Sequence, residues 1–203
     1  MVGDLAAVRI ADYVAGGGHL LVTFFSGIVD ERDRIRLGGY PGAFRDVLGV
    51  LTEEFAPLKP DHEVNLTNGG VATLWTERLR TTTASAIAGY LDGPLPGTPA
   101  ITRNEFGDGV AWYLATAVDS RTMRELALNV ARNAGVPVGD FSGDLEVVRR
   151  SGDGRTYLFV INHGPDPVEY PATGFDLVAA RAVDGLLRVE GGGVAVVREG
   201  EPA

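Results

Sequence analysis

The chain has 203 residues, of which 45% are hydrophobic, so it can form one large domain or two small ones with a real core. Its net charge of −9 argues against a nucleic-acid partner, because phosphate binding needs clustered Lys and Arg. The absence of cysteine excludes disulfides, cysteine-based zinc sites and a thiol nucleophile.

Membrane and cofactor classes are also disfavoured. No run approaches the ~20 apolar residues of a membrane helix, and the N-terminus lacks the pattern of a signal peptide. We therefore expect a cytoplasmic, soluble protein with no membrane partner. The three histidines lie far apart in the sequence, and we expect neither a metal site nor a cofactor.

The first elements predict part of a βαβ unit. Residues 4–15 are typical of an amphipathic helix that Asp4 can cap, and three glycines at 16–18 end it. The near-continuous apolar run at 19–25 predicts a strand buried on both faces, as in parallel sheets. Helix, glycine stop and buried strand form the second half of such a unit, so we expect its first strand to be absent.

Weaker signals follow along the chain. We predict a short helix at 43–49, a loop at 53–63, strands at 71–79 and 84–91, a hairpin over 100–116, and a helix at 120–134 capped by Asp119 or Ser120. After Pro137 the pattern changes to short strands, with a hairpin over 145–162 and a last strand at 194–198. This change places a domain boundary near 138–143, giving domains at 1–139 and 140–203.

Catalytic patterns are weak. The glycines at 16–18 close a helix instead of opening one, so a phosphate loop is disfavoured. With 27 acidic residues, neighbouring carboxylates such as Asp30 and Glu31 arise by chance. Ser26 lacks the G-x-S-x-G pattern of a nucleophile elbow. We therefore assign no catalytic residue.

The aromatic residues in strand-like runs have two interpretations. Alternation predicts that most of them pack in the core, whereas any that face outward could stack on a sugar. The residues concerned are Trp75, Trp112, Tyr113, Tyr157 and Phe159.

The segment after the first strand is the most distinctive. Residues 30–36 hold three acids and three arginines, and the turn LGGYPG that follows presents Tyr40. Such a segment is either a solvated loop or an ion-paired loop that docks onto another surface, since Arg suits bidentate pairs and Tyr is a frequent interface anchor.

The same stretch carries a family resemblance. GGHLLVTFFSGIVDERDRIRLGGYPGAFRDVLGV resembles the middle domain of glycoside hydrolase family 42 β-galactosidases, and GTPAITRNEFGDGVAWYLAT is similar to a later segment of it. The tail from about Asp144 to Glu199 resembles the small C-terminal β-domain of that family. The match spans essentially the whole chain.

The resemblance implies an α/β fold followed by an all-β domain. The first domain would be flavodoxin-like, of the class I glutamine-amidotransferase type with a parallel sheet core, and would mediate trimerisation. The second would be a small β-sandwich. Catalysis in the family belongs to a (β/α)8 barrel, to which no stretch of this chain corresponds, so no catalytic residue is carried over. The amidotransferase likeness implies no activity either, because that chemistry uses a cysteine.

Three hypotheses follow. The chain is a non-catalytic C-terminal portion of a β-galactosidase, serving homo-oligomer assembly and support of the missing catalytic barrel. Alternatively it is a stand-alone carbohydrate-binding module, which exposed aromatics on the C-terminal domain would favour. The third is an amidotransferase-like hydrolase using Ser26. Under the first, we expect Asp30, Glu31, Arg34 and Tyr40 to contact the barrel or a neighbouring subunit, on a loop that is exposed and mobile in this chain.

Overall fold

The computed structural model describes residues 1–138 and 144–200, and the chain divides into two compact units, Met1–Val138 and Gly139–Ala203. The domain boundary predicted between residues 139 and 140 lies outside the described residues. Within the described ranges, no helix is long and apolar enough to cross a membrane.

The first unit mixes helices and strands. In chain order its elements are α1 (Asp4–Ala15), β1 (His19–Thr23), one turn of 3₁₀ helix (Gly42–Phe44), α2 (Arg45–Leu48), β2 (Val50–Pro57), β3 (Val64–Asn65), β4 (Val71–Thr73), β5 (Trp75–Thr81), β6 (Ser85–Gly89), β7 (Pro99–Phe106), β8 (Gly109–Leu114), β9 (Ala117–Val118) and α3 (Ser120–Asn133).

The central sheet has the strand order β1-β8-β7-β6 and is mixed, which confirms an α/β domain but limits its parallel part to one pair. β1 runs parallel to β8, from His19 opposite Val110 to Thr23 opposite Leu114. β8 and β7 are antiparallel because only two residues, Gly107 and Asp108, connect them, whereas a parallel connection needs a crossover of about a dozen residues.

Helices cover β1 on both faces, as its apolar run predicts. Val22 is buried in a cluster with Val14 of α1 and Tyr113 of β8. Leu21 packs against a second cluster, on the other side of the sheet, that contains Leu126 of α3. Successive side chains of a strand point to opposite faces, so a strand between two helical layers needs apolar residues throughout.

Helix α1 is joined to the sheet by close backbone packing. The Asp108 N–H donates to the Ala15 carbonyl at 2.9 Å, and a Cβ at Gly109 would lie 2.1 Å from the Val14 carbonyl oxygen. Only glycine allows this approach. The N-terminal prediction was wrong in detail: Gly3 is the N-cap residue and its neighbour Asp4 makes no capping bond.

The loop predicted at 53–63 is wrong for its first half. Residues up to Pro57 belong to β2, which pairs antiparallel with β5 and shifts register between Thr52 and Glu54. This two-stranded ribbon has a solvent face on which Glu54 pairs with Arg78 at 3.1 Å. A strand with one solvent-exposed face carries many polar residues, and for this reason the sequence predicted a loop. The single strand predicted at 71–79 is also interrupted, at Leu74.

The second unit is all β, as expected. Its strands are β10 (Leu145–Gly152), β11 (Arg155–Asn162), β12 (Val168–Asp176), β13 (Arg181–Val189) and β14 (Val194–Glu199). They form one antiparallel sheet of order β10-β11-β14-β12-β13, instead of the two separate sheets of a sandwich. β11 and β13 approach within 8 Å although two strands separate them, so the sheet curls around its own core.

The α3 helix is confirmed, and Asp119 is its N-cap. One carboxylate oxygen accepts the Thr122 N–H at 2.9 Å, and the other accepts the Thr122 hydroxyl at 2.6 Å and the Val71 N–H at 2.9 Å. These hydrogen bonds hold the pKa of Asp119 well below its ordinary value. One side chain therefore ties the start of α3 to β4.

We expect Asp119→Ala to lower the free energy of unfolding by about 1–2 kcal/mol, the cost of a lost N-cap. Because the folded-state pKa is lowered, the stabilisation is complete above the ordinary pKa near 3.8 and disappears as the pH falls below it. Urea denaturation between pH 3 and 7 measures both effects. Asp12→Ala, at an exposed position on α1, is the matched control. Equal stability of the two variants at pH 7 would refute the capping role.

Candidate interaction surface beyond the end of β1

The turn after β1 holds a bulky residue in an unfavourable conformation. Phe24 still pairs with the sheet, donating its N–H to the Leu114 carbonyl at 2.8 Å, but Phe25 has a φ of 63°. A left-handed conformation at an aromatic residue is an outlier that costs on the order of 1–3 kcal/mol. The Phe25 side chain is 55% exposed, so burial of its own ring does not offset that cost.

Phe25 belongs to a surface cluster of five rings, which we call the aromatic patch: Phe24, Phe25, Tyr40, Phe55 and Trp75. The Phe25 ring lies 4.4 Å from Trp75 and 5.6 Å from Phe55, centroid to centroid. Tyr40 lies 4.9 Å from Phe55 on the other side. The rings come from the turn after β1, the loop before the 3₁₀ turn, and strands β2 and β5.

A buried carboxylate lies beneath this patch. Glu77 of β5 has no solvent-accessible surface and accepts hydrogen bonds from the Tyr113 hydroxyl at 2.8 Å, the Thr52 hydroxyl at 3.0 Å and the Trp75 indole at 3.1 Å. The backbone N–H of Phe25 also lowers the pKa of Glu77. Glu77 therefore fixes the position of the Trp75 ring.

Burial dominates the electrostatics of this network. It raises the pKa of Glu77 above its ordinary value, although the hydrogen bonds from Tyr113, Trp75 and Thr52 lower it. Burial also raises the pKa of Tyr113, and the adjacent Glu77 charge raises it further. Groups with perturbed pKa values often mark active sites, but this carboxylate is sealed from solvent and cannot reach a substrate.

The predicted interface residues fall into two groups. The Asp30 carboxylate accepts the N–H groups of Arg32 and Arg34 at 2.8 and 2.9 Å, which fixes a compact loop and lowers the pKa of Asp30. Glu31 and Arg34 on this loop are exposed, whereas Asp30 is half-buried. Tyr40 is half-buried and belongs to the aromatic patch instead.

Arg36 belongs to residues 30–36, which we call the charged loop, and it makes contacts within this chain. Arg36 is largely buried, and it pairs with Asp4 at 2.7 Å and donates to the Val2 carbonyl at 2.6 Å. This contact attaches the charged loop to the start of α1. Arg36 is thus ion-paired within this chain, whereas docking of the loop onto another surface stays a prediction.

Other chemical interpretations find no geometry to support them. The chain after Ser26 leads to a bridge between Val29 and Ile35 instead of a helix, so the strand–turn–helix context of a nucleophile elbow is missing. Within residues 1–138 and 144–200, no three His, Asp or Glu side chains lie close enough together to hold a metal ion.

Sequence reasoning missed Glu77 and the strain at Phe25. A signal for Glu77 exists, because in β5 the buried Glu77 and Leu79 alternate with the exposed Arg78 and Arg80. Of the aromatic residues considered, Trp112 and Tyr113 are buried, as core packing predicts.

These features define the class of protein: an α/β domain with an aromatic surface patch, followed by an all-β domain. A family model described as β-galactosidase trimerisation domain matches residues 1–137, and one described as β-galactosidase C-terminal domain matches residues 144–199. The chain therefore belongs to the family 42 glycoside hydrolases, of which it holds these two domains.

Individual relatives agree with this assignment. A β-galactosidase from Arthrobacter sp is 42% identical over 98% of this chain and 28% of its own length. β-Galactosidase BgaB from Geobacillus sp. (strain Y412MC61) is 38% identical over 100% of this chain and 32% of its own length. The crystal structure of the β-galactosidase from Bacillus circulans sp. alkalophilus superposes with a TM-score of 0.87 at 32% identity, over 96% of this chain and 31% of that one. The chain thus spans about a third of these relatives.

We expect Glu77→Gln to flatten the pH dependence of stability. Because the folded-state pKa is raised, the folded protein binds the Glu77 proton more tightly than the unfolded chain does. The free energy of unfolding of the native protein should therefore fall as the pH rises from about 4.5 through the raised pKa, and the neutral amide should remove that fall. Urea denaturation from pH 4 to 8 measures the slope.

Two further variants complete this test. Glu77→Ala leaves the buried donors without an acceptor and should lower the free energy of unfolding by about 3 kcal/mol. Glu63→Gln, at an exposed position, should keep the native slope. An unchanged slope in Glu77→Gln would show that Glu77 does not dominate the pH dependence.

Proposed function

We propose that this chain is the non-catalytic C-terminal portion of a β-galactosidase, and that it assembles protomers and supports a catalytic barrel outside the segment. The parent reaction would be hydrolysis of terminal non-reducing β-D-galactose residues. The observation that carries the proposal is that residues 1–137 match the β-galactosidase trimerisation domain. The chain also spans only 28% of the length of its Arthrobacter relative.

The finer fold assignment belongs to this proposal. The parallel β1–β8 pair, covered by α1 on one face and α3 on the other, supports a flavodoxin-like arrangement of the amidotransferase type for residues 1–139. The curled all-β sheet supports a separate C-terminal domain at 140–203. In this arrangement the functional edge of the sheet lies beyond the carboxyl end of β1, where the aromatic patch and the charged loop are found.

The charged loop and Tyr40 are the proposed contact residues. Glu31 and Arg34 are exposed, and Asp30 fixes the loop backbone from which they project. A pre-organised loop loses little conformational freedom on binding, which favours association. We propose that Asp30, Glu31, Arg34 and Tyr40 contact the catalytic barrel or a neighbouring subunit.

The alternative of a carbohydrate-binding module receives no support from the second unit. Aromatic side chains at 144–200, including Tyr157 and Phe159, are buried or half-buried. A sugar platform needs an open ring face, so the feature that would favour this alternative is missing from the described part of that unit.

An activity assay tests the non-catalytic role. The 203-residue chain should give no turnover of a chromogenic β-galactoside, because it matches only the trimerisation and C-terminal domains and spans 28% of its Arthrobacter relative. Mixing it with the part of the Arthrobacter β-galactosidase outside the matched segment should raise the activity of that part. Turnover by the isolated chain, with a rate that scales with its concentration, would overturn the proposal.

Light scattering over a range of concentrations tests assembly. We expect a species of about three times the 21.4 kDa mass of one chain. Arg34→Glu should weaken association about tenfold, because reversing a charge at an interface replaces attraction by repulsion. Arg155→Glu, at an exposed position of the second unit, is the control. A strict monomer at every concentration would overturn self-assembly by this chain.

A further inference from the structure

Two bulky apolar residues of the first unit combine strain with exposure. Phe25 has a φ of 63° and is 55% exposed, and Leu74 has a φ of 65° and is 64% exposed. Asn or Gly occupies this region of backbone space with less strain, and an exposed position does not require an apolar side chain. The backbone conformation does not explain the choice of Phe and Leu, and although the Phe25 ring contacts Trp75 and Phe55, more than half of the surface of Phe25 and of Leu74 stays exposed.

Backbone hydrogen bonds anchor the chain at both places. Phe24, next to Phe25, donates its N–H to the Leu114 carbonyl at 2.8 Å, and the Leu74 carbonyl accepts the Leu58 N–H at 3.0 Å. Leu74 directly precedes Trp75 of the patch in the sequence. These bonds fix the backbone from which the two exposed apolar side chains project, and strain kept in this way is typical of binding sites.

The composition of this surface is that of a protein interface centre. Trp and Tyr are enriched at such centres, and their rims are polar. On the ribbon that carries Phe55 and Trp75, Glu54 pairs with Arg78 at 3.1 Å and Glu53 pairs with Arg80 at 3.0 Å. Because Glu54 and Arg78 alternate with Phe55 and Glu77 along their strands, their pair lies on the opposite face of the ribbon from the rings.

We propose that the aromatic patch together with Leu74 is the surface by which one copy of this chain packs against a second copy. This inference rests on the proposed function, because its occupant is argued from the trimerisation description of residues 1–137, which contain the whole patch. In a cyclic trimer the interface is heterologous, so the patch of one protomer faces a different surface of the next. The charged loop reaches the same interface through Tyr40, which touches Phe55.

Phe25→Asn and Leu74→Asn separate this role from a structural one. Asn tolerates positive φ, so each variant should keep or raise the thermal stability of the monomer. Each should weaken association at least about tenfold, because a central hydrophobic contact is lost. Leu186→Asn is the matched control, since Leu186 is 56% exposed but belongs to the second unit. Sedimentation equilibrium measures association, and thermal unfolding at a concentration where the chain is monomeric measures stability.

The two tryptophans provide a second readout. Trp112 is 1% exposed, whereas Trp75 is half-buried in the patch. In a Trp112→Phe background, dilution through the dissociation range should shift the Trp75 emission to the red as the patch becomes hydrated. The Phe25→Asn variant in that background should show the red-shifted spectrum at concentrations where the parent is still associated.

The outcomes separate this inference from the proposed function. A wild-type trimer whose association and Trp75 emission are unchanged in both Asn variants would overturn the patch assignment and leave assembly intact. A monomeric wild type would overturn self-assembly and the patch together. A third outcome is that the Asn variants associate with each other normally but bind the rest of the Arthrobacter β-galactosidase more weakly. The patch would then contact another domain of the same protein, and the proposal of a second copy would be wrong.

Discussion

The first domain depends on one buried carboxylate. Glu77 accepts hydrogen bonds from Thr52 of β2, Trp75 of β5 and Tyr113 of β8. Removing a carboxylate from water costs several kcal/mol, so such a group persists only when donors surround it. The network joins the β2–β5 ribbon to the central sheet, because Thr52 and Trp75 of the ribbon and Tyr113 of the sheet bind the same carboxylate. A buried polar network thus lies directly beneath the aromatic patch.

Perturbed ionisable groups usually suggest catalysis, and here they indicate a different use. Burial raises the pKa values of Glu77, Tyr90 and Tyr113 together. Tyr90 donates to the Ala115 carbonyl and accepts the Glu77 N–H, so its hydroxyl is committed to the backbone. A reacting group needs access to a substrate, and these groups have none. Their geometry favours positioning, because a buried polar network tolerates few alternative arrangements.

Local periodicity predicted much of the fold. The helices at 4–15 and 120–134, the strand after Gly18 and the two hairpins were found from spacing, caps and glycine stops. The ribbon strand β2 was missed because its exposed face is charged. Strands β12 and β13 were missed because Gly174 and Gly185 interrupt the alternation, and both have positive φ. At Gly174 a Cβ would meet the Arg198 carbonyl, a close approach that only the paired strand reveals.

The candidate site was harder to predict for a physical reason. The charged loop is contiguous in sequence, so its density of Arg and Asp is visible at once. The rings of the aromatic patch come from segments that are far apart in the sequence. From its sequence context, Phe25 is predicted to be the last residue of a buried strand. Its exposure accompanies one backbone torsion, a φ of 63°, that the sequence pattern does not reveal. Asn or Gly would adopt that backbone conformation with less strain, so under our proposal association with a second copy offsets the strain at the aromatic residue.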